Sequence, residues 1–598
     1  MTRGSVEQRL RRTQVMRRFP PFFILPAVVL LVGACINVPE VQQVVEEPDA
    51  GEPALQVRLG LSRAHTKDTV DVTVELSRPA TQSVELLVNG HVVANLLPPY
   101  RFRMETQDLK EGVHELFARV VLDSGVALSE PRQLTVDRTP PTWVSRKPLP
   151  GARFVPVLPE VQAVFSEALD PTTVNASTIQ LFAGAELTPA NVSLSSEGTV
   201  VTVKPTSRFP VDVRGKVTVG SSVTDLAGNV LRAETEEWSW VVPGFIPLGE
   251  PLLSDSRNMQ PTSLDLQVDA EGRPIVAWVE SSQAAVYVRR WTGERWEQLG
   301  GSETTSPFAN ISKVALRFDS DGQPVVAWGD LMSSSVHVRR WNGAAWGAMG
   351  GPIQGHREFF FHELGMEGSG QWLVGGVTLI EGQYRLVMWQ WQNGQWDTLD
   401  TGVQIDAPYT LRGVHLLLHS AKNPFLIWGE GRDYNLESVR IQRRDAGAWK
   451  AISPKFLTLG GRWNVDREGR LLHAVSYGQE IELWREEGGA WSRMGPILES
   501  VFPGGPNAEV GQLVFDSMGM PVVVISEAES QGQPDTLYVR RLRDGRWEQM
   551  GGLLRSQSPE ERPSGRVLGM SKSGKLFLVT YEHKSAAMIP TQVYVSNE

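Results

Sequence analysis

The sequence predicts an all-β protein, and three observations support this prediction. Glycine and proline are abundant, at 56 and 39 of 598 residues, and few stretches show the apolar spacing of a helix. Short alternating runs separated by turn dipeptides fill the middle of the chain. A unit of about 50 residues then recurs in the C-terminal part. The length suggests roughly three to five domains of ordinary size.

The first 34 residues differ in composition from the rest of the chain. Residues 1–18 contain six arginines and one acid, Glu7, and residues 19–34 are almost wholly apolar. A basic segment followed by an apolar one of this length predicts a secretory signal peptide, because the apolar part is too short to span a membrane comfortably. An uncleaved signal anchor is the alternative.

Cys35 is the only cysteine of the chain and directly follows the apolar segment. The sequence Leu31-Val-Gly-Ala-Cys35 resembles the lipobox of bacterial lipoprotein precursors. This resemblance implies cleavage before Cys35 and attachment of a diacylglyceryl group to its thiol. Several acyl chains, at about 0.8 kcal/mol for each buried methylene, would then anchor the chain to a membrane. Because Ile36 rather than an aspartate follows, we expect an outer-membrane lipoprotein that faces the surface or the periplasm.

Residues 35–55 are acidic, contain prolines and show no periodicity, which predicts a disordered tether. Removal of residues 1–34 takes away six basic residues and one acidic residue and changes the net charge from −10 to −15. Such a surface repels polyanions and argues against a nucleic-acid partner. A single cysteine also excludes an intramolecular disulfide. We expect a monomer.

Residues 56–137 predict a first small β-sandwich. A strand runs from Val84 into Asn89-Gly90, the dipeptide best suited to a type I′ hairpin, and His91-Val-Val returns from it. Another alternating run follows at 111–118. This order of strands and turns resembles the bacterial immunoglobulin (Ig)-like repeats of surface proteins, and about 80 residues suit one sandwich.

Residues 138–243 predict a second sandwich after the stiff Thr139-Pro-Pro joint. The segments Val164-Phe-Ser-Glu-Ala-Leu-Asp170 and Val223-Thr-Asp-Leu-Ala-Gly-Asn229 resemble the Ig-like domain of bacterial surface-layer proteins. In such families these modules are spacers. Asp225 and Asn229 suggest either a calcium or ligand site or a turn capped by side chains. We favour the turn, expect no dense group of acidic oxygens there, and predict neither a metal nor a cofactor.

Internal repetition is the strongest signal, and it covers residues 244–598. The run Gly272-Arg-Pro-Ile-Val-Ala-Trp278 returns as Gly322-Gln-Pro-Val-Val-Ala-Trp328. Two series of tryptophans recur every 50 residues: Trp291, Trp341 and Trp391, and Trp296, Trp346 and Trp396. Each unit holds about four short strands, which is the content of one propeller blade. The repeats therefore predict a seven-bladed β-propeller, with six and eight blades as alternatives.

The last repeat lacks its fourth strand. The segment Gly244-Phe-Ile-Pro-Leu-Gly249, which precedes the first repeat, resembles the missing Trp-x-x-Leu-Gly element. A strand supplied from the beginning of the domain would close the ring and leave no open edge.

The repeated tryptophans allow two interpretations. Exposed aromatic rows can stack on sugar rings, whereas an indole at a fixed position in each repeat more often packs between neighbouring sheets. We favour packing for Trp278, Trp328 and Trp428, and for the tryptophans of the outermost strands.

An acidic residue recurs after the apolar core of the second strand of several repeats. Ring symmetry would place these acids near one rim, where they could bind a cation or a hydroxylated ligand. Ion pairs with Arg289, Arg339 or Arg540 on the next strand are an equal alternative. The candidate rim residues are Glu280, Asp330, Glu430, Glu527 and Glu582.

No familiar catalytic pattern is present in the sequence. The Asp-box of sialidase propellers is absent, as are the serine-hydrolase elbow, the His-Glu-x-x-His zinc motif and a phosphate loop. His415 and His419 could share a strand face, but two histidines do not make a zinc site. We therefore expect a non-enzymatic surface protein that binds a polysaccharide or another surface protein. A propeller glycosidase or lyase with an unfamiliar site, and a passive envelope component, are the alternatives.

Overall fold

The computed structural model describes residues 54–597 with short gaps. Of side chains within the strands, those of 261–262, 304, 404–405, 410, 412, 562–566 and 581–583 are not described. The gaps are 81, 124, 234–236, 253–260, 281–283, 305–308, 356–358, 367–369, 400, 402, 406–409, 419–423, 432–435, 446–447, 456–457, 534, 556–561 and 584–590. The described residues form strands and turns and no helix, so the protein is all-β.

The chain divides into two compact units. The first unit comprises the described residues up to Ala64, Thr69–Glu105 and Val113–Leu134, and the second unit comprises the others. Nine strands cover residues 57–136: β1 (Val57–Leu61), β2 (His65–Thr66), β3 (Thr69–Leu76), β4 (Ser83–Val88), β5 (His91–Leu96), β6 (Arg101–Glu105), β7 (Gly112–Leu122), β8 (Gly125–Leu128) and β9 (Arg132–Val136). One sheet has the order β1-β3-β6, and the other runs β2-β9-β7-β4-β5 with β8 on β7. The Asn89-Gly90 hairpin forms as the sequence predicts, with positive φ at both residues.

Residues 143–242 form two four-stranded sheets. Their strands are β10 (Trp143–Lys147), β11 (Val161–Phe165), β12 (Ile179–Ala183), β13 (Glu186–Thr188), β14 (Ala190–Leu194), β15 (Val200–Pro205), β16 (Val213–Val219) and β17 (Ser239–Val242). The sheet orders are β10-β11-β15-β14 and β13-β12-β16-β17. Alternate residues of β11 are buried, because successive side chains of a strand point to opposite faces. The buried cluster contains Phe165, Trp238 and Trp240.

Seven antiparallel sheets are described between residues 245 and 596, three with four strands and four with a short fifth strand. This region contains the short strands β18 (Phe245–Pro247), β23 (Glu303–Thr304), β28 (Ile353–Gln354), β33 (Gln404–Ile405) and β42 (Leu498–Glu499). Sheet 1 contains β19 (Pro261–Val268), β20 (Pro274–Glu280), β21 (Ala285–Trp291) and β22 (Trp296–Gln298). Sheet 2 contains β24 (Ile311–Phe318), β25 (Pro324–Asp330), β26 (Ser335–Trp341) and β27 (Trp346–Ala348). Sheet 3 contains β29 (Phe360–Met366), β30 (Trp372–Ile380), β31 (Gln383–Gln392) and β32 (Gln395–Leu399).

The remaining sheets follow the same order along the chain. Sheet 4 contains β34 (Thr410–Leu417), β35 (Phe425–Gly431), β36 (Ser438–Asp445) and β37 (Ala448–Ile452). Sheet 5 contains β38 (Arg462–Val465), β39 (Leu471–Tyr477), β40 (Glu480–Glu487) and β41 (Ala490–Arg493). Sheet 6 contains β43 (Glu509–Phe515), β44 (Pro521–Ala528), β45 (Asp535–Arg543) and β46 (Arg546–Arg555). Sheet 7 contains β47 (Arg562–Met570), β48 (Leu576–His583), β49 (Gln592–Ser596) and, as its fourth strand, β18.

The second strand of each sheet is the most deeply buried. Strands β20, β25 and β35 are buried at every residue, whereas the fourth strand β27 is half-exposed or exposed throughout. Apolar side chains on both faces of the second strand explain this burial, because each face packs against a neighbouring sheet. The packing interpretation of Trp278, Trp328 and Trp428 is confirmed, since each is at most 5% exposed.

Strand β18 pairs with β49 in antiparallel register, with Phe245 opposite Ser596 and Pro247 opposite Tyr594. The segment that precedes the first repeat therefore completes the last sheet, as the sequence predicts. The first strands also contact one another in chain order, from β19 to β47, and β47 contacts β19.

Indoles of the fourth strands join neighbouring sheets. Trp346 Nε1 donates to Leu299 O of the preceding sheet at 2.7 Å, and Trp396 Nε1 donates to Met349 O at 2.7 Å. Trp491 and Trp547 make the corresponding bonds to Ser453 O and Pro496 O. Trp296 of sheet 1 donates to Leu248 O at 2.9 Å, directly after β18.

A glycine follows each acceptor leucine because the next indole lies against the backbone there. Gly249 and Gly300 have φ of 67° and 69°. A Cβ at Gly249 would lie 2.5 Å from the Trp291 ring, and one at Gly300 would lie 2.9 Å from the Trp346 ring. Both the positive φ and the close approach require glycine.

A β-bulge interrupts the first strand of several sheets at the same place. The extra residue is Thr262 in β19, Ser312 in β24, His362 in β29 and Arg412 in β34. These positions are 50 residues apart, and Gly511 is the bulged residue of β43. Bulges re-aim side chains and are frequent beside active sites.

Candidate functional site

The predicted rim acids lie at the ends of second strands, and the described ones are buried. Glu280, Asp330 and Glu527 are 1 to 3% exposed, and Glu430 is 9% exposed. Trp278 Nε1 donates to Glu280 at 3.0 Å, and Trp428 Nε1 donates to Glu430 at 2.8 Å. These bonds join each acid to the indole two residues earlier in the same strand.

The other acids bind backbone amides or a cation. Asp330 Oδ1 accepts from Asn310 N and Met332 N, and Glu527 Oε1 accepts from Val501 N at 2.8 Å. Glu430 forms an ion pair at 3.2 Å with Arg440, which is not one of the three arginines that the sequence suggested. Arg339, which is one of the three, pairs with Glu303. A ligand-binding role of these acids stays a prediction.

Three residues singled out in the sequence fall outside this description. Cys35 and His419 lie outside the described residues. Glu582 belongs to β48, but its side chain is not described.

Four consecutive first strands bring cations and imidazoles together. Lys313 lies on β24, His362 on β29, His415 on β34 and Arg462 on β38. The neighbouring strands of this series contact one another. We call these four residues the first-strand cluster. Lys313 Nζ donates to the backbone oxygen of His362, the bulged residue of β29.

The two imidazoles of the first-strand cluster are neutral at neutral pH. Burial and the charges of Lys313 and His415 lower the pKa of His362 to about 3. Burial and the charges of Arg462 and Lys313 lower the pKa of His415 to about 4, although a hydrogen bond to the Leu459 backbone acts in the opposite direction. A neutral imidazole offers one hydrogen-bond donor and one acceptor. The cluster therefore presents cationic donors beside neutral polar groups.

An ion-pair network crosses the first three sheets beside this cluster. Arg317 Nη1 binds Asp265 Oδ2 at 2.8 Å, and Arg317 Nη2 binds Glu363 Oε1. The side chain of Arg317 is 22% exposed, and those of its partners are 16 to 17% exposed. The guanidinium therefore offsets one of the two negative charges of this pair of carboxylates. Lys313 Nζ lies 3.9 Å from the other oxygen of Glu363.

His473 lies on β39, the second strand of sheet 5, and is fully buried. Its ring stacks on Trp463 with centroids 3.7 Å apart, and its Nε2 lies 2.8 Å from Gly460 O. Burial and the charge of His415 lower its pKa to about 4, although the hydrogen bond to the Gly460 backbone acts in the opposite direction. His473 is therefore part of the buried interior of sheet 5 and not of the first-strand cluster.

A second group of polar residues lies in the 137–241 region. Asp225 Oδ1 accepts from Ala227 N and Asn229 N at 2.8 Å, and its Oδ2 accepts from Asn229 Nδ2 at 2.7 Å. The predicted capped turn is therefore confirmed. The expectation that no other acidic oxygens lie near it is wrong, because oxygens of Asp137, Glu167 and Asp225 all lie within 4.8 Å of one another.

These three carboxylates, distant in sequence, meet only in the folded chain. Burial and the charges of Asp137 and Asp225 raise the pKa of Glu167 to about 7. Oxygen ligands of this kind suit a hard cation such as Ca²⁺. They are the group that could hold a metal among the described residues.

Sequence reasoning missed the first-strand cluster. It considered His415 only as a possible zinc ligand and did not single out Lys313, His362 or Arg462. One signal was present: Ser312, His362 and Arg412 recur every 50 residues, like the tryptophans. Their position at bulges became visible only from the strand pairing.

Residues 137–241 match the family model described as a bacterial Ig-like domain. This match supports the predicted kind of domain and suggests a surface protein. A sequence search of curated proteins found no match. In the part of the chain that the structure describes, no helix has the length and apolarity needed to cross a membrane.

Several solved structures resemble the chain at low identity. Polysaccharide lyase Uly1 is 10% identical with a TM-score of 0.37, and the match covers 58% of this chain and 92% of the lyase. A PL25 ulvan lyase is 9% identical with a TM-score of 0.38, over 58% and 96% of the two chains. A protein of unknown function from Desulfotomaculum acetoxidans is 14% identical with a TM-score of 0.35, over 52% and 93%. We transfer no residue role from these proteins.

The expectation that the chain is not an enzyme is corrected by this comparison, because polysaccharide lyases are among the structures that the chain resembles. The absence of the motifs named above excludes only the enzyme families that carry those motifs. It does not separate this chain from enzymes as a class.

Proposed function

We propose that residues 244–598 form a seven-bladed β-propeller. Three observations support this proposal: seven sheets that each contain four main strands, the cyclic contacts of their first strands, and the pairing of β18 with β49. The bond from Trp296 to Leu248 O supports it independently, because it repeats at the start of the series the contact that joins later sheets. First strands arranged in this way would surround an axial channel.

We infer that the chain is an exported lipoprotein, anchored through Cys35 to the outer membrane. The N-terminal sequence carries this inference, and the Ig-like match at 137–241 supports a surface location. The two Ig-like regions at 56–137 and 138–243 would act as spacers between the membrane and the propeller.

We propose that the propeller binds an extracellular polysaccharide at the mouth of this channel. The observation that carries the proposal is the first-strand cluster, in which four consecutive strands supply Lys313, His362, His415 and Arg462. Ligand sites hold a few convergent polar groups in a concave setting. Imidazole donors and acceptors suit sugar hydroxyls.

Cleavage of the bound polymer is a second candidate function, which the neutral imidazoles of His362 and His415 favour. A neutral imidazole can take a proton from the sugar carbon next to a carboxylate. Nearby cations would stabilise the charge that develops. As the carbon–oxygen bond to the next sugar breaks, the protonated imidazole would give its proton to the leaving oxygen and return to its neutral form. The product would carry a carbon–carbon double bond and absorb ultraviolet light.

A polysaccharide-retention screen with the purified full chain in detergent tests the proposal. Each retained polymer is incubated with the protein and monitored for an ultraviolet-absorbing product. We expect His362→Gln combined with His415→Gln to abolish retention with little change in melting temperature. Failure to retain any polysaccharide, or unchanged retention by this folded variant, would contradict the proposed binding function.

The rim acids provide the matched comparison. Changing Glu280, Glu430 and Glu527 to glutamine should lower the melting temperature, because these buried side chains accept internal hydrogen bonds. Retention should be unchanged. Loss of retention with an intact fold would instead support the predicted ligand rim.

A further inference from the structure

The first strands concentrate positive charge in an acidic protein. They carry six basic and three acidic residues, although the whole chain has a net charge of −10. The basic residues are Lys313, Arg317, Arg412, Arg462, Arg562 and Arg566, and the acidic ones are Asp265, Glu363 and Glu509. Repulsion from distant acidic residues is screened beyond roughly 10 Å at ordinary salt, so nearby charges decide what the cluster binds.

Two of the three acidic residues of the first strands bind the same arginine. Asp265 and Glu363 both bind Arg317, with side chains mostly removed from water. Lys313 donates to His362 O and lies 3.9 Å from Glu363 Oε2. These contacts engage at most two of the three N–H donors of its ammonium group.

Arg462 is oriented by backbone carbonyls. Its Nε donates to Gly511 O at 2.6 Å and its Nη1 donates to Gly461 O at 3.1 Å, and the residue is exposed. These two bonds fix the direction of the guanidinium group. A cation oriented in advance loses less entropy when it binds an anion.

The two histidines of the cluster are neutral polar groups beside these cations. Burial lowers the pKa of both, and positive charge lowers it further, from Lys313 for His362 and from Arg462 and Lys313 for His415. An anion bound here would meet two cations and two neutral rings, each of which can donate a hydrogen bond to it.

We infer that the ligand of the first-strand cluster is an anionic polysaccharide, whose acidic group binds between Lys313 and Arg462. This inference rests on the proposed function and specifies the class of its ligand. A carboxylate and a sulfate ester share the recognised chemistry, since both offer charged oxygens to these donors. His362 and His415 would bind the neighbouring hydroxyl groups.

The test measures binding of the full chain to four polymers: polygalacturonate, its methyl ester, dextran and dextran sulfate. We expect binding of one or both charged polymers, binding that weakens as sodium chloride is added, and little binding of the neutral ones. The two charged polymers distinguish a carboxylate from a sulfate ligand. Equal binding of neutral and charged polymers would overturn the inference and leave the proposed function intact. Binding of none would overturn both.

Matched variants test whether the charged polymer binds at Lys313 and Arg462. Lys313→Gln combined with Arg462→Gln should weaken binding of the charged polymer by about ten- to a hundredfold, which is the range for lost charged hydrogen bonds. Lys204→Gln combined with Arg295→Gln removes the same charge from exposed positions and should bind like the original chain. Lys313→Arg combined with Arg462→Lys should retain most of the binding.

The melting temperature of each variant checks its fold. Unchanged binding by a folded Lys313→Gln, Arg462→Gln variant would overturn the inference. If that variant unfolds, the salt titration of the original chain decides, because binding that does not weaken with salt is incompatible with recognition of an anion by these cations.

Discussion

Single residues join the repeated sheets by one recurring hydrogen bond. The indole Nε1 of a fourth-strand tryptophan donates to a backbone oxygen of the preceding sheet, as in Trp346 to Leu299 O. Trp449 of sheet 4 departs from this pattern, because its buried Nε1 has no hydrogen-bond partner among the described residues. The repeat therefore contains its own comparison between a bonded and an unbonded indole.

Trp296→Phe should destabilise the protein more than Trp449→Phe. Both changes remove similar half-buried ring area, but only Trp296 donates a hydrogen bond, to Leu248 O. We expect a difference of about 1 kcal/mol in the free energy of unfolding, measured with denaturant. Equal losses in the two variants would show that this bond does not hold sheet 1 to β18.

His473 should make the protein sensitive to acid. Its pKa is about 4 in the folded chain and near 6.5 when exposed, so the unfolded chain binds the extra proton first. The stabilisation is present above pH 6.5 and is lost as the pH falls from there through about 4. We expect His473→Gln to flatten this fall in the free energy of unfolding. His91→Gln, at an exposed position, should leave the profile unchanged, and an equal effect of the two changes would contradict the prediction.

At the scale of elements, the short strand β18 completes sheet 7. Residues next to it bind the 143–242 region. Asp212 accepts hydrogen bonds from Gly244 N and Leu553 N. The amide of Asn597 donates to Val155 O and Pro243 O at 2.9 Å.

Deletion of residues 244–251 should destabilise all seven sheets. The deletion leaves β49 with an unpaired edge, which promotes aggregation, and removes the acceptor of Trp296. Asn597→Ala is the comparison, because it breaks contacts to Val155 and Pro243 but retains β18. We expect a much larger fall in melting temperature for the deletion. A deleted protein with an unchanged melting temperature and no new aggregation would refute closure by β18.

For the whole molecule, the proposed location depends on one residue, Cys35. Cys35→Ser should abolish acylation and leave a soluble or uncleaved chain, because the proposed anchor needs the thiol. Membrane fractionation and mass spectrometry measure both effects. An unmodified Cys35 in the membrane fraction would contradict the lipid anchor, and recovery in inner-membrane fractions alone would contradict the outer-membrane location.

The all-β class, the Ig-like match region and the repeat with its closing strand could all be predicted from the sequence alone. These features depend on local pattern: alternating residues, turn dipeptides such as Asn89-Gly90, and tryptophans spaced by 50 residues. Because the sequence around β18 resembles the fourth strands of the repeats, the long-range pairing of β18 with β49 could also be predicted.

Only the tertiary structure decided which polar residues meet. The sequence did not reveal that Glu280 and Glu430, two of the predicted rim residues, accept bonds from Trp278 and Trp428. Glu167 lies beside Asp137 and Asp225, and Lys313 lies near histidines of two other sheets. Strand pattern fixes the face on which a side chain lies, whereas bulges and the packing of distant segments fix its partners.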